Sequence, residues 1–340
     1  MAKRLAEQTL VITGASSGIG LSAAEQAAAA GARVVIVSRD AEALATIARR
    51  LEQAHAAQVL PVAADVAVRA EVEEVARAAL QRFGGFDTWI NNAGVGLIGS
   101  VLDAWDEPSA RRLMDTNFWG VVNGSLVAVA HLRHKGGTLV NMASITADHA
   151  VPLQSIYSAS KHAVKGFTDG LRQELLAVNA PVAVVLAKPA CVATPLIEHV
   201  AHPPGRHPRL VSPLYDPRDA ARALLAAAEH PRREIEIGGA AALNAVASAF
   251  APGLMETGAP VLVARQWRDE RSAGSAGNLF APSRDSHGRT VGRHPGQRVV
   301  PALYNRLTGP VQSAAALAVG GLALGALMAA RLLARGGPGR

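Results

Sequence analysis

The chain of 340 residues contains one cysteine, Cys191, so it can form no internal disulfide and a reducing compartment is implied. Aromatic residues are scarce, at 4%. Residues 1–250 carry no charge excess, with 23 Lys/Arg against 23 Asp/Glu. A basic stripe with interleaved aromatics is therefore missing from that region, which argues against a nucleic-acid-binding face. The apolar run at residues 9–13 is too short for the hydrophobic core of an export signal, and no cleavage site follows it. The body of the chain is accordingly expected in the cytoplasm. No internal repeat is evident, and the formal charge of +7 falls on residues 251–340, which hold 11 Arg, no Lys and 4 acids.

What the chain has in quantity is apolar surface, 49% of its residues, in a regular order. Short β-branched runs at 10–13, 33–37, 58–62, 88–91, 138–142, 182–186 and 234–237 read as strands. Their nearly continuous apolar character suits parallel strands buried on both faces. Stretches rich in Ala, Leu and Glu lie between them, at 21–30, 41–55 and 71–82 among others, and read as helices. Such alternation predicts an α/β fold, a doubly wound, mostly parallel sheet of about seven strands flanked by helices. The catalytic domain is expected over 1–238, with an additional helical segment packing on it at 239–270. Residues 271–304 read as a flexible Gly/Ser/Arg linker with too little apolar surface to fold. Residues 305–340 read as an apolar C-terminal helix.

Between the first strand and the first helix lies TGASSGIG, residues 13–20. Glycines at 14, 18 and 20 allow a tight turn and a close backbone approach to a pyrophosphate, which the helix N-terminus stabilises. An NAD site usually ends its second strand with a carboxylate for the ribose 2′-hydroxyl. Here Ser38 and Arg39 stand there, a pair suited to a 2′-phosphate, so NADP(H) is expected over NAD(H). Asp65 and Val66 follow the third strand, where a carboxylate could meet the adenine amino group. NNAG, residues 91–94, closes the fourth strand.

Ser144 lies just past the fifth strand, at the edge where open α/β sheets bind ligands. Tyr157 and Lys161 are four residues apart at the start of the next helix, on one face of it. An isolated phenol titrates near pH ~10, so a working group near neutrality needs a shift of about three units. An ammonium at i+4 and the positive charge of an oxidised nicotinamide both act in that direction. The pair is therefore read as acid–base machinery for a carbonyl or an alcohol.

TGASSGIG, NNAG, Ser144 and the YSASK of residues 157–161 occur in one order and at one spacing, and over residues 9–238 the chain resembles the single-domain short-chain dehydrogenases/reductases. The resemblance implies a Rossmann fold, hydride transfer between a nicotinamide and a carbonyl or secondary alcohol, and Tyr157 as proton donor or acceptor. It implies that Ser144 orients the substrate oxygen, that Asn117 holds a water in a proton relay, and that Lys161 binds the nicotinamide ribose and lowers the tyrosine pKa. It places Gly14, Ser16, Ser17, Gly18, Ile19 and Gly20 at the cofactor's phosphates and ribose. Asn92, with Ala93 and Gly94, is implied near the nicotinamide sugar, and Pro189, Val192 and Thr194 near the carboxamide. Where the family usually has Pro-Gly, this chain has Pro189-Ala190, an alanine that could restrict the backbone there. Residues 196–215 fall where the family forms its substrate lid. Homodimers or homotetramers built through the helices of Asn117 and Tyr157 are a further implication.

Other readings weigh less. A non-catalytic dinucleotide-binding regulator or scaffold would be expected to lose Ser, Tyr or Lys, and none is missing. Sugar-nucleotide epimerases and dehydratases share the Tyr/Lys spacing but not this glycine spacing. Cys191 reads as a packing residue. His199, His202 and His207 invite a metal, but Pro203, Pro204 and Gly205 between them suggest a mobile loop, and none is expected. Residues 311–330 form twenty residues without a charge, flanked by arginine, enough to cross a bilayer core. Eight of them are alanine, which favours insertion little, so docking on protein is the competing role. A C-terminal membrane anchor is the preferred expectation.

Overall fold

Seven of the β-branched segments pair side by side in the computed structural model, which describes residues 3–103 and 106–308. The strands are β1 (Thr9–Thr13), β2 (Arg33–Ser38), β3 (Val59–Ala63), β4 (Thr88–Asn91), β5 (Gly137–Met142), β6 (Val182–Pro189) and, after two short strands, β9 (Glu234–Ile237). All are parallel, in the order β3-β2-β1-β4-β5-β6-β9. The order reverses between β1 and β4, which opens a crevice at their C-terminal ends.

The helices in chain order are α1 (Gly18–Ala29), α2 (Ala41–His55), α3 (Arg69–Phe83), α4 (Glu107–Met114), α5 (Gly120–Lys135), α6 (Ser155–Ala177) and α7 (Pro217–Glu229). Leu10 and Ile12 of β1 face α1, α2 and α7, whereas Val11 between them faces α3, α5 and α6. Both sets are fully buried, which is why the strands lack polar alternation. Asp40 caps α2 through the Ala43 amide, and Gly84 ends α3 in the left-handed region. Between α4 and α5 the chain makes one π-helical turn, Asp115–Trp119, a bulge of the kind found at functional sites.

Beyond Gly238 the chain forms α8 (Gly239–Phe250), α9 (Pro252–Glu256) and α10 (Ala259–Arg265). Trp267, just after them, packs on Ile98, Ile197 and Val200.

Residues 271–304 do not have the character of a flexible linker. β10 (Trp267–Ser272) runs antiparallel to β7 (Gly205–Pro208), and β11 (Val299–Val300) pairs with β8 (Leu214–Tyr215). These pairings also correct the reading of 203–206 as a mobile loop, since the lid segment is tied into two small sheets. Leu279 is fully buried against Val95, Leu113 and Ala201. α11 (Leu303–Thr308) docks through Asn305, whose side chain accepts from the Gly238 amide and donates to the Glu236 carbonyl. The apolar surface of 271–304 is small, as its composition says. What holds the segment is hydrogen bonding of its backbone, both to remote backbone groups and to remote side chains such as Arg39 and Asp219.

The anchor expected at 311–330 lies outside the described residues. Among the described residues no helix is long and apolar enough to cross a membrane.

Candidate active site

The glycine turn is built by its own backbone. Gly14 and Gly18 have φ of 68° and 58°, values that disfavour any side chain. A Cβ on Gly20 would stand 2.3 Å from the Gly14 carbonyl oxygen. Asn92 ties the turn to the end of β4, its amide nitrogen donating to the Thr13 carbonyl at 2.9 Å. The Thr13 hydroxyl in turn accepts from the amides of Asn92 and Ala93, each at 3.0 Å. The first turn of α1 therefore opens onto a cavity of about 500 Å³. A cradle in which a Cβ would collide, at the N-terminus of α1, fits a pyrophosphate.

Nearly all the residues singled out from sequence line this one cavity. Gly14, Ser16, Ser17, Gly18 and Ile19 form its floor, with Ser38, Arg39, Asp65 and Val66 at one end. Asn92, Ala93 and Gly94 lie midway, and Ser144, Tyr157, Lys161, Pro189 and Val192 at the other end, while Thr194 stands against Gly18 of the turn. Gly20 and Asn117 are absent from the lining. Gly20 lies beneath the turn. Asn117 is fully buried in the π-helical turn, its side chain exchanging two hydrogen bonds with the Val95 backbone, at 2.8 and 2.9 Å.

Two charged groups are engaged differently from expectation. Arg39 directs Nη1 to the Leu279 carbonyl at 2.9 Å and Nη2 to the Asn278 carbonyl at 2.5 Å. The Asp65 carboxylate pairs with Arg112 and also caps the Ala67 amide. Ala190, in place of the usual glycine, is unstrained: the positive-φ non-glycine residues described are Ala56, Leu153 and Asn179.

Tyr157 and Lys161 project from the first turns of α6 towards Ser144, whose hydroxyl accepts from the Thr146 amide at 3.2 Å. The Lys161 ammonium donates to the Met142 carbonyl at 3.0 Å and lies 5.7 Å from the Tyr157 ring centroid. Burial pushes the Lys161 ammonium down to about 8. Burial also pushes the Tyr157 phenol up to about 12, against a hydrogen bond with Ser144 that draws it lower. The downward shift expected for this phenol is thus not produced by the chain's own groups. Desolvation dominates, with Lys161 buried and Tyr157 partly buried among apolar neighbours. A protonated phenol beside a hydroxyl and a cation can give a proton to an oxygen placed among them. Burial likewise pushes the Cys191 thiol up to about 11, which disfavours the nucleophilic thiolate.

The rest of the wall was legible only in part, through the lid position of residues 196–215. Leu196, Leu210, Met255 and Leu262 give the region beyond Ser144 an apolar lining, with His149, Gln154 and Asn244 as its polar groups. Pro282, Ser283, Ser286 and His287 complete the opposite end, from the segment read as a linker. No motif marks any of these. Of the three histidines singled out, His199 lines the cavity, and burial pushes it down to about 4. His202 and His207 lie with ring centroids 5.9 Å apart, tilted at 59° to each other. Among the described residues no group of three or more His, Cys, Asp or Glu is placed to hold a metal ion.

Comparison with known proteins agrees with this geometry. A family model described as short chain dehydrogenase matches residues 8–204. The chain is 42% identical over 258 residues to an uncharacterized oxidoreductase, YxnA, of Bacillus subtilis (strain 168), covering 75% of this chain and 72% of that one. A short chain dehydrogenase from Burkholderia cenocepacia J2315, solved in complex with NADP, superposes with a TM-score of 0.63 at 28% identity, covering 75% of this chain and 98% of that one. A short chain dehydrogenase/reductase from Burkholderia phymatum, solved in complex with NAD, does so with a TM-score of 0.62 at 27% identity, covering 78% and 98%. With the seven-stranded parallel sheet, the glycine turn and the Ser/Tyr/Lys cluster on one cavity, the chain belongs to the short-chain dehydrogenase/reductase family of oxidoreductases.

Proposed function

We propose that the protein is an NADP(H)-dependent oxidoreductase acting on a carbonyl or secondary alcohol, with Tyr157 as its acid/base. The observation that carries this reading is the convergence of Ser144, Tyr157 and Lys161 on the wall of a cavity whose floor is the glycine turn. The dinucleotide, when bound, supplies or accepts the hydride. The chain's residues do the rest. Gly14, Ser16, Ser17, Gly18 and Ile19 would hold the phosphates, and Asn92 would steady the turn from behind. Ser144 holds the substrate oxygen, and Tyr157 delivers a proton to it. Lys161, fixed by the Met142 carbonyl, places a cation where anionic charge grows as that proton leaves. Asn117 acts at one remove, fixing the Val95 backbone on the cavity wall. A phenol held protonated at neutral pH is the form that donates to a carbonyl oxygen, and alcohol oxidation would need its deprotonated form.

Preference for NADP(H) is supported by the second strand, which ends in Ser38 and Arg39 rather than a carboxylate. The recorded hydrogen bonds of Arg39 go to neutral carbonyls, so its positive charge remains over that end of the groove. The apolar lining beyond Ser144 supports an apolar substrate body. Membership of the family supports self-association, as a dimer or tetramer, through the helices of Asn117 and Tyr157.

The test is oxidation of NADPH by the full chain over a panel of aldehydes and ketones, with Tyr157→Phe run in parallel. Turnover should fall on the order of 10²–10⁴-fold in the variant, with NADPH binding retained. A folded protein that binds no dinucleotide would overturn the reading, and binding without turnover of any carbonyl would favour a regulatory dinucleotide-binding protein. Equal affinity for NADH and NADPH would overturn the cofactor preference.

A further inference from the structure

We infer that residues 278–292 form an integral outer wall of the dinucleotide site, a strap across its adenosine half that retards departure of the bound dinucleotide. The inference rests on the proposal that this groove takes a nicotinamide dinucleotide. It assigns to the C-terminal region a binding role that the Rossmann sheet and its helices do not supply.

The strap is tied at three places, each on an element of the groove. At its start, Arg39 grips the carbonyls of Asn278 and Leu279, and Arg112 Nε donates to the Leu279 carbonyl at 2.9 Å. In its middle it bonds directly to the glycine turn. The Gly288 amide donates to the Ser16 carbonyl at 2.9 Å, and the Gly18 amide donates to the Arg289 carbonyl at 3.0 Å. At its end the Gly292 amide donates to the Ala193 carbonyl at 2.9 Å, on the loop that leaves β6. The approach there is so close that a Cβ on Gly292 would stand 2.4 Å from the Thr194 carbonyl oxygen. Glu198 locks this end, taking the Arg289 guanidinium on both carboxylate oxygens, at 3.2 and 2.8 Å, and the Arg293 amide at 2.6 Å. The crossing therefore runs from the end of β2, over the turn, to the exit of β6.

The strap roofs the groove and does not fill it. The cavity of about 500 Å³ has the glycine turn on one side and Ser283, Ser286 and His287 on the other. At Ser16 and Gly18 the strap rests on the turn itself, and the cavity lies beside that contact, so a dinucleotide seated there would be covered at the end where Ser38 and Arg39 stand. To enter or leave, it must pass a strap whose middle and far ties are two backbone hydrogen bonds, one more at Gly292, and a half-exposed charge cluster. Ties of that kind part and re-form without unfolding the sheet. Arg39 thereby gains a positioning role, since its fork holds the near end of the roof.

Release of NADPH from the full chain, followed by its fluorescence after mixing with excess NADP⁺, tests the strap. Arg289→Glu sets like charges against Glu198 and should raise the release rate on the order of tenfold. Gly292→Val, which forces the strap from the Thr194 carbonyl, should do the same. The double variant Glu198→Arg, Arg289→Glu should bring the rate back towards that of the parent. Trypsin should cut after Arg293 slowly in the NADPH-loaded parent and faster in both single variants. If trypsin shows the strap opened while the release rate stays unchanged, the inference is overturned. Tighter binding with faster entry in the opened variants would also overturn it, by making the segment a plug. If the parent binds neither NADPH nor NADH, the functional reading fails together with the strap, whereas binding with an unchanged release rate fails the strap alone.

Discussion

Lys161 is 4% exposed, and its one recorded polar partner is the neutral Met142 carbonyl. Its ammonium is held at about 8, below the ordinary value of 10.5, by burial. Between those two values the unfolded chain binds more protons than the folded one, so this residue makes stability rise with pH from about 8 to about 10.5. Keeping it charged at neutral pH costs on the order of 3 kcal/mol. Lys161→Met in the dinucleotide-free protein should therefore raise Tm at pH 7 and flatten the pH dependence of Tm across that window, while turnover is lost. A lower Tm at pH 7 would show that the Met142 hydrogen bond outweighs desolvation. Tyr157 shows the same physics with the opposite consequence: burial favours its neutral form, which is the form that donates a proton.

At the scale of elements, β4, β5, α5 and α6 are joined by a buried polar chain. The Trp89 indole donates to Asn91 at 2.8 Å, and Asn91 donates to Asn141 at 2.9 Å. Asn141 in turn donates to the Thr168 hydroxyl at 3.0 Å. Such a network fixes the register of the strands that carry NNAG and Ser144, because each member left unpaired would carry its full desolvation cost. α5 joins it through the Val121 carbonyl and the Ser125 hydroxyl, and its Gly124 passes so close that a Cβ there would stand 2.0 Å from the Asn91 side-chain oxygen. Gly124→Ala should destabilise the fold by roughly 2–4 kcal/mol in urea unfolding, through overpacking and a broken hydrogen bond. A loss under about 0.5 kcal/mol, within the range of ordinary surface substitutions, would mean that α5 shifts freely and that the network does not set the register.

For the molecule as a whole, the basic excess of residues 251–340 is partly spent on the body of the chain. Arg289 pairs with Glu198, and Arg306 pairs with the buried Asp219. The C-terminal region up to α11 is thus a covering layer of the catalytic unit. The twenty uncharged residues at 311–330 follow directly after this docked end and have the length to cross a bilayer core. We propose that this run attaches the protein to a membrane; on that proposal, deleting residues 311–340 should move it from the membrane pellet to the supernatant, with Tm and NADPH affinity preserved, since Asn305 and Arg306 stay in place. A full-length protein found in the supernatant without detergent would contradict membrane attachment.

The sequence by itself determined the sheet, the glycine turn and the Tyr157/Lys161 pair. All three depend on short-range regularities: strand and helix periodicity, φ values open to glycine, and the i, i+4 stacking of a helix. Tertiary structure decided what those regularities do not encode. Arg39 reaches a carbonyl 240 residues away, and a backbone acceptor leaves no trace in side-chain composition. That is why a segment poor in apolar residues read as a linker and proved to be a wall of the site. Asn117 was legible as a site residue, yet its attachment to Val95 follows from a π-helical turn that no periodicity announces. The direction of the Tyr157 shift was hidden for a related reason. Motif spacing places an ammonium beside a phenol, but only the packed fold determines how much water is excluded from both, and here desolvation outweighs the neighbouring groups.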